Sequence, residues 1–212
     1  MLRISSSKPV LCLASASPRR RELLSQIGVP YIVAGADIDE AVLSGETPRD
    51  YVIRLARAKA LAIRDGGQSL PVLAADTTVV VDGRIFGKPR DQVDGVYMLG
   101  ELSGRTHEVL TAVALADARG VAERLSSSAV RFRRISPEEC AAYWETGEPR
   151  DKAGGYAIQG LGAVFVESLS GSYSGVMGLP LFETGELLRA AGVKYWAGAG
   201  TVAGADRNGG PV

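Results

Sequence analysis

The chain has 212 residues, 46% of them hydrophobic, and carries 24 Lys+Arg against 24 Asp+Glu, so its formal net charge is zero. That size and apolar content suit one large domain, or two lobes sharing a cleft, around a full hydrophobic core. The charge balance excludes a broad basic face for sequence-independent nucleic-acid binding, which works by neutralising many phosphates, and no apolar run reaches the length of a membrane span.

In chain order, "VLCLA" within residues 9–14 reads as a buried first strand; it is too short for the apolar region of a signal peptide. Ser17 and Pro18 read as the N-cap and first position of a helix that presents Leu23, Leu24 and Ile27 and stops at Gly28. A second helix follows Thr47, with Pro48 next and Asp50 placed to complete a capping box. "PVLAADTTVVV" is a buried strand, Asp82–Gly83 a hairpin turn and "RIFGK" the returning strand. Residues 90–102 form a helix weakened by Gly95 and Gly100. Strands near 107–116 and 121–134 are joined through "DARG", and "SPEE" caps a helix ending at Gly147. The glycine-rich stretch 148–180 contains a strand-like "AVFVES", and "LPLFETGELLRAAG" is the last helix. These elements indicate an α/β fold with a mixed sheet and flanking helices, one domain over residues 1–196, and a disordered tail over residues 197–212.

Several stretches imitate known motifs and fail on spacing. "GRIFGKP" has three residues between its glycines where a phosphate loop needs four, and Pro89 stands where that loop needs Ser or Thr. "GSYSG" puts Tyr173 at the position of a nucleophilic serine. "GAGTVAG" lies in the tail with no strand before it. His107, the single histidine, reads as a surface or structural residue. Cys12 and Cys140 are too few and too far apart for a zinc site or a disulfide framework, which fits a reducing cytoplasm. The metal chemistry left open is that of carboxylates and magnesium.

Charged residues in apolar surroundings are the better guide. Asp76 interrupts a strand whose pattern predicts burial; it is either a structural acid bonded to backbone or a working carboxylate. The chain holds 19 Arg and only five Lys, yet Lys59 falls on the apolar arc of its helix, Lys88 follows the hairpin that carries Asp76, and Lys152 opens the glycine-rich stretch. A compact ammonium suits point contacts with phosphate oxygens. Ser15, Ser17, Arg19 and Arg20 surround a helix N-terminus, whose unpaired N–H groups favour an anion, while Arg21 reads as solvated. Together they read as a polyphosphate cradle.

"LASASPRRRELL", "AADTTVVVDGRIFGKPRD", "LSGRTHEVLTAVAL" and "DKAGGYAIQGLGAVFVESLSGSYSGVMGLPL" resemble, in order and at natural spacing from about residue 10 to about residue 192, the Maf family of nucleoside triphosphate pyrophosphatases, once described as septum formation inhibitors. The resemblance implies an elongated α/β fold of the inosine triphosphate pyrophosphatase type with a cleft between lobes. It implies hydrolysis of a nucleoside triphosphate between the α and β phosphates, with a divalent metal, Mg2+ or Mn2+. Carried over by motif, Asp76 activates water and binds metal, Glu40 is the second metal-binding acid, and Lys59, Lys88 and Lys152 hold phosphate charge. Ser15, Arg19, Arg20, Thr77 and Gln159 complete the substrate site.

Family members resembling 7-methyl-GTP pyrophosphatases carry Trp, Gln and Glu where this chain has Arg19, Thr77 and Gln159. A glutamine amide can match the N3–H donor and O4 acceptor of uracil or thymine. The chain is therefore similar to the dTTP/UTP branch. Gly175 and Met177 depart from residues more usual there. The expected partners are a nucleoside triphosphate, with no nucleic acid or membrane, and a second copy in a homodimer is compatible with the pattern. The alternative function is a nucleotide-binding regulator of cell division without turnover.

Overall fold

The computed structural model describes residues 8–196; the expected tail at 197–212 lies outside them. The chain runs β1 (Leu11–Ala14), α1 (Pro18–Gln26), β2 (Tyr31–Ala34), α2 (Pro48–Asp65), β3 (Val72–Val81), β4 (Arg84–Phe86), α3 (Gln92–Leu102), β5 (Thr106–Asp117), β6 (Gly120–Phe132), α4 (Pro137–Glu145), β7 (Val166–Ser170), α5 (Tyr173–Met177) and α6 (Leu181–Ala190). Short 3-10 turns occupy Glu148–Asp151, Ala153–Gly155 and Leu161–Phe165. The seven strands form one mixed sheet in the order β2-β1-β3-β5-β6-β7, with β4 paired to β3 off this path. The β1 pairings with β2 and β3 are parallel, and every other pairing in the sheet is antiparallel. The expected mixed sheet with flanking helices is what the chain forms.

β3 organises the molecule. Its side chains alternate between the two faces of the sheet. On one face, Val72, Ala74 and Val80 join Leu110, Ala112 and Ala114 of β5 under α2, where Val52, Ala56 and Ala60 are buried. The alanines on both sides let the helix approach the sheet closely. On the other face, two separate clusters form. Leu73 and Ala75 pack with Leu23, Leu24, Leu187 and Leu188 of α1 and α6, whereas Val79 and Val81 pack with Leu99, Phe132, Tyr143 and Phe165 of the α3–α4 side. Thr77 stands between the clusters, and the division into two lobes falls there.

The edge of β3 changes partner over the same stretch. Its pairing with β1 reaches Leu73, and its pairing with β4 begins at Val79, while β5 runs unbroken along the opposite edge. Among the described residues, the backbone between those limits has no strand on one side. That gap is where the cleft opens.

Several local expectations need correcting. β2 is a strand that the sequence pattern does not announce: four half-exposed residues at a sheet edge are too short to display a periodicity. Ser17 precedes α1 as expected, but its side chain makes no cap, and its N–H instead donates to Ser15 Oγ at 3.2 Å. Thr47 accepts from Asp50 N, yet the Asp50 carboxylate answers to the Thr47 hydroxyl, so only half of the capping box forms. Within "AVFVES" the strand begins at Val166, because the preceding residues close a 3-10 turn. Gly95 is less a weakness than a clearance: a Cβ there would lie 2.4 Å from a Trp144 ring carbon, so its absence lets α4 press against α3.

His107 is structural and not at the surface. It is 2% exposed, edge-on to Phe132 and Tyr156, with Nε2 2.8 Å from the Tyr156 hydroxyl. Burial pulls its pKa down from 6.5 to about 4. Between those values the unfolded chain binds a proton that the native state refuses, so this group's contribution is present above pH 6.5 and is lost as pH falls toward 4. His107→Gln, which does not titrate, should therefore lose about 2 kcal/mol less than the parent between pH 7 and pH 5 in urea unfolding. Equal losses would mean that the ring is solvated.

Candidate active site

The cleft has a volume of about 560 Å³. Its walls come from the end of β1, the start of α1, the loop after β2, α2, the gap in β3, the loop after β4, the 3-10 turns after α4, and α5 with the residue that follows it. Ser15, Arg19, Arg20, Glu40, Lys59, Asp76, Thr77, Lys88, Lys152 and Gln159, scattered over 145 positions of sequence, all line it.

Its centre is an acid, a lysine and an acid. Lys59 Nζ lies 2.7 Å from Asp76 Oδ1 and 2.5 Å from Glu40 Oε1. Lys59 and Asp76 are nearly enclosed, at 9% and 7% exposure, and Glu40 reaches the pair from the open side. The helical spacing that turns Lys59 inward and the strand alternation that turns Asp76 toward α2 make this contact. Burial pushes the Asp76 carboxyl above its ordinary range, and the nearby charges of Lys59 and Arg20 only partly offset that. For Glu40, partial burial acts upward but Lys59 outweighs it and holds the carboxyl below its usual value.

Glu40 lies on an irregular loop that α2 pins in place. Tyr51 Oη donates to the Glu40 carbonyl at 3.1 Å, and Arg54 donates to Ala41 O at 2.9 Å while gripping Glu46 through two bonds of 2.6 and 2.8 Å. Tyr51 also lines the cleft, and nothing in the sequence pattern singles it out, although it lies on α2 two turns before Lys59. Burial and the acids Asp76 and Glu40 push its phenol up to about 12.

On the other face of β3, Thr77 takes part in a polar row. Its Oγ1 accepts from Arg20 Nη2 at 3.2 Å and lies 3.0 Å from Thr111 Oγ1, its cross-strand neighbour. Thr111 in turn donates to Gly175 O at 2.8 Å, which holds α5 over the sheet. Gly175 packs closely here: a Cβ at that position would lie only 3.1 Å from the Ser172 side chain and 3.3 Å from Ser126 Oγ. Arg20 is drawn inward by three acceptors, Gly178 O at 2.7 Å, Thr77 Oγ1 and Ser15 Oγ, whereas Arg21 is exposed as expected. Since no side chain caps α1, the first-turn N–H groups beside Ser15 remain open to the cleft.

The remaining cations form the rim. Lys88 is exposed, Arg19 approaches Asp151 at 3.8 Å, and Lys152 contacts Asp151 and donates to Glu148 O at 3.2 Å. The lining thus sets five cations against three carboxylates, a balance suited to a polyanion. Thr78 Oγ1, buried at the same strand gap, has no hydrogen-bond partner among the described residues. Among the described residues no group of three or more His, Cys, Asp or Glu is placed to hold a metal ion. Two hard carboxylates on one side of a cleft nevertheless fit Mg2+, which takes one or two protein carboxylates and leaves its other positions to phosphate oxygens and water.

The sheet and this cleft define a mixed α/β protein with an acid–lysine–acid centre inside a ring of cations. The chain belongs to the Maf family: residues 10–191 match the family model described as Maf-like protein. It is 55% identical over 183 residues to a protein of Methylobacillus flagellatus named dTTP/UTP pyrophosphatase, covering 85% of this chain and 92% of that one. It is 56% identical over 190 residues to one of the same name from Saccharophagus degradans, covering 88% and 90%. A solved structure, the Ham1 protein of Staphylococcus aureus, aligns over 85% of this chain and 96% of that one at 15% identity and a TM-score of 0.44.

Removing the central ammonium would leave the buried Asp76 carboxylate without its partner, with the exposed Glu40 as a second negative charge on the open side. Lys59→Met should destabilise the protein by about 3 kcal/mol at neutral pH in urea unfolding. A loss below about 1 kcal/mol would mean that Asp76 is solvated well enough to stand alone.

Proposed function

We propose that this chain hydrolyses dTTP and UTP to the nucleoside monophosphate and pyrophosphate. The observation that carries the reading is the buried Asp76 held by Lys59 at the wall of a cation-rimmed cleft. The names of relatives at about 55% identity, dTTP/UTP pyrophosphatase, support the substrate.

In this reading the triphosphate lies along the first turn of α1, whose N–H groups and dipole favour negative charge, with Arg19, Lys88 and Lys152 around it. Arg20 is committed to Gly178 O and Thr77, so it serves chiefly to fix the α1 end of the cradle against α5. Asp76 accepts the proton of the attacking water. Its raised pKa makes it a stronger base than an exposed carboxylate, and Lys59 orients it and favours the ionised form that can act. Attack at the α phosphate releases pyrophosphate, whose developing charge the rim lysines stabilise. Asp76 and Glu40 are the residues that would hold Mg2+ or Mn2+, which when bound neutralises phosphate charge and polarises the phosphorus under attack. Gln159, exposed at the cleft wall, meets the N3–H and O4 of the pyrimidine through its amide. The buried, free Cys12 and Cys140 fit a reducing cytoplasm, and no described helix is long and apolar enough to cross a membrane. A nucleotide-binding regulator without turnover is not favoured, because a buried Asp76–Lys59 pair is costly to maintain for binding alone.

Purified protein with Mg2+ or Mn2+ should release pyrophosphate and monophosphate from dTTP and UTP. Appearance of UDP and orthophosphate would place the attack at a different phosphorus. Asp76→Asn keeps the shape but cannot take the proton, so turnover should fall by at least about a hundredfold while the variant stays folded and still binds UTP. Turnover at the parental rate would make Asp76 a structural acid.

A further inference from the structure

The turn that carries Gln159 is held from behind by two side chains that the proposed reaction does not use. Glu148 Oε1 accepts from the Tyr143 hydroxyl at 2.6 Å and from Gly162 N at 3.0 Å, and its Oε2 accepts from Leu161 N at 3.0 Å. The Tyr143 oxygen in turn accepts from Ala157 N at 3.2 Å. Both ends of the turn are therefore pinned, and only Ile158, Gln159 and Gly160 lie between the pinned residues. The backbone rests directly on these groups: a Cβ at Gly160 would lie 2.1 Å from Glu148 Oε2, and one at Gly162 would lie 2.6 Å from the Tyr143 oxygen. Burial acts to raise the Glu148 carboxyl, but its hydrogen bonds outweigh that and keep it below the ordinary range, so it stays an acceptor on both oxygens.

Gln159 has no comparable support of its own. It is exposed in the cleft and, among the described residues, its side chain makes no hydrogen bond. An amide that must meet a base edge to within a few tenths of an ångström depends on the backbone that carries it. Nothing in the sequence signals this role, since a glutamate in "TGEPRD" reads as a solvated turn residue.

We propose that Glu148, together with Tyr143, is a positioning residue for base recognition: the carboxylate and phenol clamp the 157–162 turn so that Gln159 presents its amide to the pyrimidine. The proposal rests on the reading that Gln159 meets the base. It separates two jobs of one residue, because the Glu148 side chain holds the base turn while its main-chain carbonyl holds Lys152 on the phosphate side.

Glu148→Gln is nearly isosteric, but an amide has one acceptor oxygen. Whichever way it turns, it sets an NH2 group against at least one of the backbone N–H groups of Leu161 and Gly162. The ratio of kcat/KM for UTP to that for CTP should fall about tenfold or more, while inhibition by pyrophosphate, which tests the phosphate side alone, should not change. Tyr143→Phe keeps its ring edge-on to Phe165 at 5.1 Å and removes only the hydroxyl, so it should lower the same ratio. It decides the matter by itself if Glu148→Gln fails to fold. In a Gln159→Ala background neither change should alter the ratio further.

The outcomes separate the proposal from the reading beneath it. If Gln159→Ala collapses the UTP to CTP ratio and the folded clamp variants leave it intact, or slow both nucleotides equally, the positioning role is overturned and the role of Gln159 stands. If Gln159→Ala itself leaves the ratio unchanged, the base-reading role fails and the positioning proposal is overturned with it.

Discussion

One buried ammonium holds this cleft together. Lys59 sits between Asp76 on the sheet and Glu40 on a loop, and it joins three stretches of chain that different parts of the fold hold in place. An isolated carboxylate at the Asp76 position would be forced toward its neutral form, and an isolated lysine on the buried face of α2 would lose its charge or swing out. Together they tolerate burial. The remaining fold around them is correspondingly ordinary: alanines bring α2 close to β3 and β5, so that a four-carbon side chain reaches the strand, and Tyr51 and Arg54 on the same helix tie down the loop that carries Glu40.

The second constraint is the incomplete edge of β3. A strand with partners along both edges would offer only its two faces, but between Leu73 and Val79 this one has, among the described residues, no partner on one edge, and both faces border the opening. Asp76 points toward α2 and Thr77 toward α1 and α5, so consecutive residues serve the acid–lysine centre and the arginine cradle. The same interval separates the two apolar clusters on the Thr77 face. A break in pairing, a break in packing and a change from apolar to polar residues coincide where the cleft borders β3.

The far wall is built differently. It has little regular structure, and its shape comes from 3-10 turns, close glycine contacts and a few side-chain acceptors such as Glu148 and the Tyr143 hydroxyl. Irregular backbone of this kind presents single residues to a ligand, at the expense of needing its polar groups satisfied one by one. His107 supports the same wall from the core, bonded to Tyr156, a residue that lines the cleft.

Periodicity and turn chemistry in the sequence determined the long elements: α2 through its apolar arc and Thr47–Pro48 start, the β3–β4 hairpin through Asp82–Gly83, and α4 through the Ser136–Glu139 capping box that forms in full. They also marked Asp76 and Lys59, because a charge on a face the pattern predicts to be buried is visible without coordinates. Resemblance to family motifs, and not spacing, picked out Glu40, Thr77 and Gln159. Tertiary structure alone decided that Lys59 bridges two acids, that Ser17 leaves the first turn of α1 uncapped, that β2 is a strand, and that Glu148 clamps the turn bearing Gln159. Each of these depends on groups distant in sequence meeting in space, or on a segment too short to show a period. Local preference does not encode which partner such a group will find; the packing of the sheet against its helices does.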